Sequence, residues 1–174
     1  MVKAADQKTE WLSELIKTDT EFINLLSSFS QTEVNIHPGP GSWSAGQVTE
    51  HIHKSDKGII RLLSGTSKKE DRAPDQMVET IKSVFLNFDS KLDSPGFIIP
   101  EDKIYEKDLI IARFESERKT ITEIVRVSDL SETCTAYPFP GFGEITRLEI
   151  LSFIVSHTQR HINQLRRIAQ KIKK

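Results

Sequence analysis

Cysteine is almost absent from the 174-residue chain: Cys134 stands alone, which excludes an intrachain disulfide and a multi-cysteine zinc site and suits a reducing compartment. An excess of one charge is also lacking. Lys and Arg number 24 against 25 Asp and Glu, so no strong net field draws the chain to nucleic acid or to an anionic membrane. No apolar run approaches the length of a membrane span. The segment from Met1 to Lys17 carries Lys3, Asp6, Lys8, Glu10 and Glu14 and holds no apolar stretch of signal-peptide length. Internal repeats and low-complexity tracts are missing as well. These absences lead us to expect a cytoplasmic protein that acts on a small molecule, with no nucleic-acid or membrane partner. What is present suffices for one domain spanning residues 1–174: 37% hydrophobic residues, with nine Phe and two Trp, can build a single continuous core.

The apolar residues recur with helical period. Trp11, Leu15, Phe22, Leu26 and Phe29 follow one another at spacings of three, four or their sum, which predicts a first helix over about Thr9–Phe29. Pro38, Gly39, Pro40 and Gly41 then form a connector that cannot propagate a helix. A second helix begins at a capping box, Ser44 with Gln47, with Trp43 and Val48 as its hydrophobic staple. Its stripe runs through Ile52, Ser55, Ile59 and Leu62 and ends near Gly65, a capping residue by preference. After a polar loop, Gln76–Phe88 is a shorter helical pattern, broken by Asp93, Ser94, Pro95 and Gly96. A third long helix is predicted over Glu106–Val127. The fourth starts at a second capping box, Thr146 with Glu149, stapled by Ile145 and Ile150, and reaches about Ile172. Its basic end, Arg166, Arg167, Lys171, Lys173 and Lys174, reads as a solvated face that complements the helix dipole. Four long amphipathic helices and no convincing alternating strand indicate an all-α four-helix bundle. Short connectors make helices one and two antiparallel, and likewise three and four. A crossover of about 40 residues lets helices two and three run parallel.

The core stripe of helix four reads Ile154, His157, His161, Leu165, Ile168, Ile172. Histidines four apart lie on one face one turn apart and can aim at a common point. On helix two, His51 lies on or beside the buried stripe, whereas His53 falls on the polar face and His37 in the connector. Burying three imidazoles without good partners is costly, so their coincidence on two helices points to a shared metal ion. Polar groups also interrupt two other inner faces: Asp19 between Leu15 and Phe22, and Glu117 with Arg118 between Phe114 and Ile121. Gln164, one turn beyond His161, could orient an imidazole or a substrate. Trp43 and Ser44 are assigned to capping, and Cys134 to packing.

Two stretches carry a family resemblance. Trp43-Ser-Ala-Gly-Gln-Val-Thr-Glu-His51 resembles the second-helix signature of the DinB/YfiT-like superfamily, and His157-Thr-Gln-Arg-His161-Ile-Asn-Gln164, preceded by Gly143-Glu-Ile-Thr146, resembles its fourth-helix signature. The resemblance implies a four-helix bundle with an up-down-down-up course and a metal on His51, His157 and His161. It also implies either of two chemistries, since members include proteins described as metal-dependent hydrolases as well as bacillithiol S-transferases and mycothiol-dependent maleylpyruvate isomerases.

Three neutral nitrogens leave at least one coordination position open, the mark of a catalytic zinc site. Zinc is the first expectation for the divalent ion, though imidazole also suits nickel and iron. An open position can hold a low-molecular-weight thiol as its thiolate or generate hydroxide from bound water. We expect thiol transfer to an electrophile ahead of hydrolysis, with a non-catalytic metal-binding stress or binding protein as the competing class. Exposed apolar residues in the middle segment leave room for a homodimer.

Overall fold

The structure, a computed structural model, describes residues 2–173, with side chains from residue 7 onward. Lys174 of the basic cluster therefore lies outside the described residues, as do the side chains of Lys3 and Asp6. Among the described residues five α-helices form: α1 (Val2–Ser27), α2 (Ala45–Leu63), α3 (Val78–Phe85), α4 (Lys107–Val127) and α5 (Arg147–Ile172). Two-residue strands β1 (Ser67–Lys68) and β2 (Thr133–Cys134) pair antiparallel beside them. The four long helices are the expected bundle. α1 starts seven residues before the predicted start at Thr9, because from Val2 to Lys8 the only apolar residues are Val2, Ala4 and Ala5, too few and too small to mark a stripe.

Pairs of touching residues fix the course of the chain. Glu14 meets Gln159, Glu21 meets Arg166 and the Ser28 carbonyl meets Lys173, a constant separation of 145 that makes α1 and α5 parallel. Glu50 with Arg113 and His53 with Glu117 show α2 and α4 parallel in the same way. Lys8 on the carbonyls of Arg126 and Ser128, against Gln31 on the Tyr105 carbonyl, makes α1 and α4 antiparallel. The course is up-down-down-up. α1 packs on α5 and α4, and α2 packs on α4 and α5, so α1 lies diagonally across the bundle from α2, and α4 from α5. α3 packs on the outside of α5.

Both capping boxes are made. Ser44 Oγ accepts from the Gln47 amide while the Gln47 side chain accepts from the Ser44 amide. Thr146 and Glu149 do the same at α5. Glu149, fully buried, also takes both guanidinium nitrogens of Arg72, at 2.8 and 2.7 Å, and the Met77 amide, so the cap of α5 doubles as the anchor for the start of α3. Gly65 departs from expectation. It is not among the glycines with positive φ, and Ser64 caps α2 instead. A Cβ at Gly65 would lie 2.6 Å from the Ala136 methyl, so the residue is needed for close approach of the β1–β2 region to the helix end. Cys134 packs in the core, and burial pushes its thiol pKa up, away from reactivity.

The hydrophobic interior divides in two. One cluster, around Leu15, Ile59, Ile121, Ile150 and Ile154, fills one end of the bundle, and the other, around Phe22, Ile52, Phe114 and Leu165, fills the opposite end. Between them lies a polar layer centred on Arg118. Its guanidinium stands 3.3 Å from Asp19 on α1 and 3.0 Å from Asp56 on α2, and donates to Thr158 on α5 at 3.0 Å. One α4 side chain thus touches every other helix of the bundle.

Candidate metal centre

His51, His157 and His161 come together at the α2–α5 contact, all buried. Their positions follow from the local reasons already given: α5 places two imidazoles one turn apart on its buried face, and the capped start of α2 presents the third. His157 Nε2 lies 3.1 Å from His51 Nε2 and 3.0 Å from His161 Nε2. Nitrogens about 2.0–2.1 Å from a common zinc ion in tetrahedral array stand slightly farther apart than this, so a small outward shift of the rings completes the geometry.

The outer nitrogens decide the protonation of the inner ones. His51 Nδ1 lies 3.1 Å from the Ile98 carbonyl, which can only accept, and His161 Nδ1 lies 2.8 Å from Gln164 Oε1. Each Nδ1 therefore carries the proton and donates it outward, leaving the Nε2 lone pair facing inward. Two lone pairs then converge on His157 Nε2, and a single N–H there could satisfy only one of them. A cation at the centre satisfies all three. Burial, as the largest cause, holds all three imidazoles below the usual histidine pKa. His161 is lowered to about 3 and His157 well below its ordinary value, with their neighbours' charges adding to the effect, so all three are neutral ligands.

The cluster opens onto a cavity of about 1360 Å³. Aromatic side chains form its wall beside the histidines: Phe153 stacks on His157 with ring centroids 4.9 Å apart, and Phe85 meets the same imidazole edge-on. Trp43, expected only to staple α2, also lies against the His51 ring at 5.1 Å. Arg167 and Lys171, from the basic end of α5, line the cavity rather than standing wholly apart from it.

The remaining polar candidates divide. Gln164 reaches the cluster. Asp19 and Arg118 form the central layer with Asp56, an acid absent from our sequence expectations. Burial raises the pKa of both aspartates to about 6 against the opposing pull of Arg118. Glu117 turns away to the α2–α4 side, where it meets His53 Nδ1 at 2.5 Å. Burial opposes charge on both partners, raising Glu117 to about 7 and lowering His53 to about 4. His37 is exposed and contacts the Ser42 carbonyl, and it is not one of the three clustered histidines. Asp56 could have been found: it lies four residues after Ile52 and three before Ile59, so it competes with Ser55 for the same stripe. The Ile98 carbonyl left no trace, because backbone acceptors carry no residue signature.

Fold and site together define a class, four-helix bundles with an inward-facing three-histidine cluster at one interhelical contact. The profile of the DinB superfamily matches residues 14–165, and the chain belongs to that superfamily. It is similar to the uncharacterised protein YuaE of Bacillus subtilis strain 168, at 22% identity over 151 residues, covering 87% of this chain and 92% of that protein. Two solved structures share the fold. TT2238, described as a four-helix bundle protein, aligns with a TM-score of 0.59 and 18% identity over 92% of this chain and 98% of that one. YfiT from Bacillus subtilis, described as a probable metal-dependent hydrolase with an unusual four-helix bundle topology, aligns with a TM-score of 0.64 and 15% identity over 97% of this chain and 89% of that one.

Proposed function

We propose that the protein is a metal-dependent enzyme in which His51, His157 and His161 hold one divalent ion, and that it joins a low-molecular-weight thiol to an electrophile bound in the adjoining cavity. The observation that carries this reading is the convergence of three Nε2 atoms, two of them stripped of their protons by outward hydrogen bonds, at the edge of a cavity of about 1360 Å³. Zinc fits a neutral three-nitrogen set with an open position; nickel and iron also accept imidazole. When bound, the ion supplies a Lewis acid that favours thiolate over thiol near neutral pH.

The chain's own residues do the rest. Gln164 and the Ile98 carbonyl hold His161 and His51 in the donor-inward orientation. Phe85, Phe139 and Phe153 offer an apolar, water-excluding wall for the body of the electrophile. The thiol's proton passes to solvent, its sulfur forms the new bond to carbon, and the leaving group departs with the electron pair of the bond it breaks. Space favours this reaction over hydrolysis, since single-ligand pockets occupy about 300–1,000 Å³ and this one has room for two reactants. Placement of acids favours it too. Among the residues lining the cavity the only carboxylates are Asp89 and Asp93, both exposed, which gives a water nucleophile no base held close to the histidines. A reducing cytoplasm, where such thiols stay reduced, is the matching compartment.

Hydrolysis is the second reading, supported by the description of YfiT. One experiment separates the alternatives. Protein loaded with zinc, nickel or iron is assayed with cysteine, glutathione and bacillithiol against a chlorinated aromatic, and in parallel with activated esters. Metal-dependent thioether formation that disappears in His157→Ala is the expected result. Ester cleavage without thioether formation would move the assignment to hydrolysis, and metal binding without either would make the protein a non-catalytic metal binder.

A further inference from the structure

The segment from Leu86 to Ile99 lines the cavity from Phe88 onward, and it also supplies the acceptor that orients His51. Little apolar burial holds it. Its 3₁₀ turn, Gly96–Ile98, contains no buried residue, and Phe97 and Ile99 are 72% and 48% exposed. Polar pins hold it instead, and they come from the two helices that carry the histidines. From α2, Lys54 Nζ donates to the Ile99 carbonyl at 2.8 Å, beside the His51 contact to Ile98. From α5, Arg160 donates to the carbonyls of Phe85 at 3.3 Å and Asn87 at 2.8 Å, and its second terminal nitrogen donates to the Ser90 carbonyl. Arg160 lies in the turn between His157 and His161. Its planar fork gathers three carbonyls at the end of α3, where the helix leaves such groups without partners of its own.

We propose that Arg160 is a positioning residue of the metal centre: by fixing the near end of the 86–99 segment it keeps the Ile98 carbonyl on His51 Nδ1, and so sets the affinity of the three histidines for their ion. The proposal rests on the metal reading above. It makes the cavity wall and the ligand shell one mechanical unit, pinned at one end by the helix bearing two ligands and at the other by the helix bearing the third.

The sign of the expected effect separates positioning from simple electrostatics. Arg160 is a cation near a cation site, so deleting its charge would by field alone strengthen metal binding. Loss of positioning weakens it, by about 10–100-fold if His51 loses its outward acceptor. Zinc affinity is measured by competition with a chromogenic chelator, and the visible spectrum of the cobalt-loaded protein reports the ligand geometry. Arg160→Met is expected to bind zinc at least about tenfold more weakly and to alter the cobalt spectrum, with the apo protein's far-UV circular dichroism unchanged. Arg160→Lys, which keeps donors but loses the planar fork, is expected to recover part of the affinity and remains measurable if the Met variant fails to fold. Arg166→Met removes the same charge from the same helix, at a side chain that pairs with Glu21 on α1 instead of holding the segment's carbonyls, and is expected to leave affinity as it is. Equal affinity in wild type and Arg160→Met, or equal weakening in the Arg160 and Arg166 variants, would overturn the proposal while leaving the metal reading intact. A wild-type protein that binds no divalent ion would overturn both.

Discussion

Replacing Arg118 by Met tests the polar layer at its centre. The side chain is 4% exposed, its guanidinium lies within 3.3 Å of Asp19 and 3.0 Å of Asp56, and its carbon sits 4.7 Å from the centroid of the Phe114 ring. Met fills a similar apolar volume but leaves two buried carboxyls with no cation between them. Breaking a buried ion pair from one side costs about 3–5 kcal/mol, and that is the expected loss of unfolding free energy near neutral pH. The loss should depend on pH in a definite direction. Both aspartates have folded pKa values raised to about 6 from an ordinary 3.8, so between those values the native state binds more protons than the unfolded state. Wild-type stability therefore declines as pH rises through that window, and the decline ends above it. Without Arg118 the carboxyls lose the one influence that lowers their pKa, so the decline extends to higher pH. Urea unfolding followed by circular dichroism at about pH 5 and about pH 7.5 should give a small difference between the proteins at the lower value and the full difference at the higher. Adding Asp56→Asn to the Met variant should return part of the loss. A penalty below about 1 kcal/mol near neutral pH, or one that does not change with pH, would refute the account of the layer.

Three further outcomes follow from the structure. A divalent ion at about a hundred times its dissociation constant should stabilise the fold by about 2.7 kcal/mol, or roughly 5–10 °C in a thermal shift, and His157→Ala should abolish the shift; an equal shift in the variant would place the ion elsewhere. Gln164→Leu removes the acceptor on His161 Nδ1 and should weaken zinc binding about 10–100-fold in the chelator competition, with unchanged affinity counting against the tautomer argument. Gly65→Ala drives a methyl to 2.6 Å from Ala136 and should cost about 1–3 kcal/mol in urea unfolding, recovered in large part by Ala136→Gly; a neutral substitution would show that the contact relaxes freely.

What the sequence disclosed was whatever depends on neighbours a few residues apart. The boxes at Ser44 and Thr146 join residues three apart, and His157 and His161 share a face because they are four apart, so each could be read without knowing the fold. His51 required a long-range partner, and its stripe together with the family signature supplied one. Where two residues competed for one stripe the reading was ambiguous: Ser55 and Asp56 both fit, and packing sent Asp56 into the core at 1% exposure while Ser55 lines the cavity. Glu117 and Arg118 posed the same problem on α4, and only Arg118 turned inward. The segment from 86 to 99 was opaque for another reason. It contributes backbone carbonyls and exposed side chains, and neither leaves a periodic pattern. Gly65 looked like a helix cap because glycine favours that position, whereas a neighbour 71 residues later in the chain is what demands it.

The diagonal placement of α1 across from α2 and of α4 across from α5 governs when the centre can exist. His51 and His157 are separated by 106 positions, and α1 finds its parallel partner only in α5. During synthesis at about 5–20 residues per second, roughly 5–20 s pass between the appearance of the first ligand and the second. The nascent chain offers only one of the three ligands throughout that interval. Selection of the ion is thereby deferred to the finished chain, when the last helix docks and brings two ligands at once.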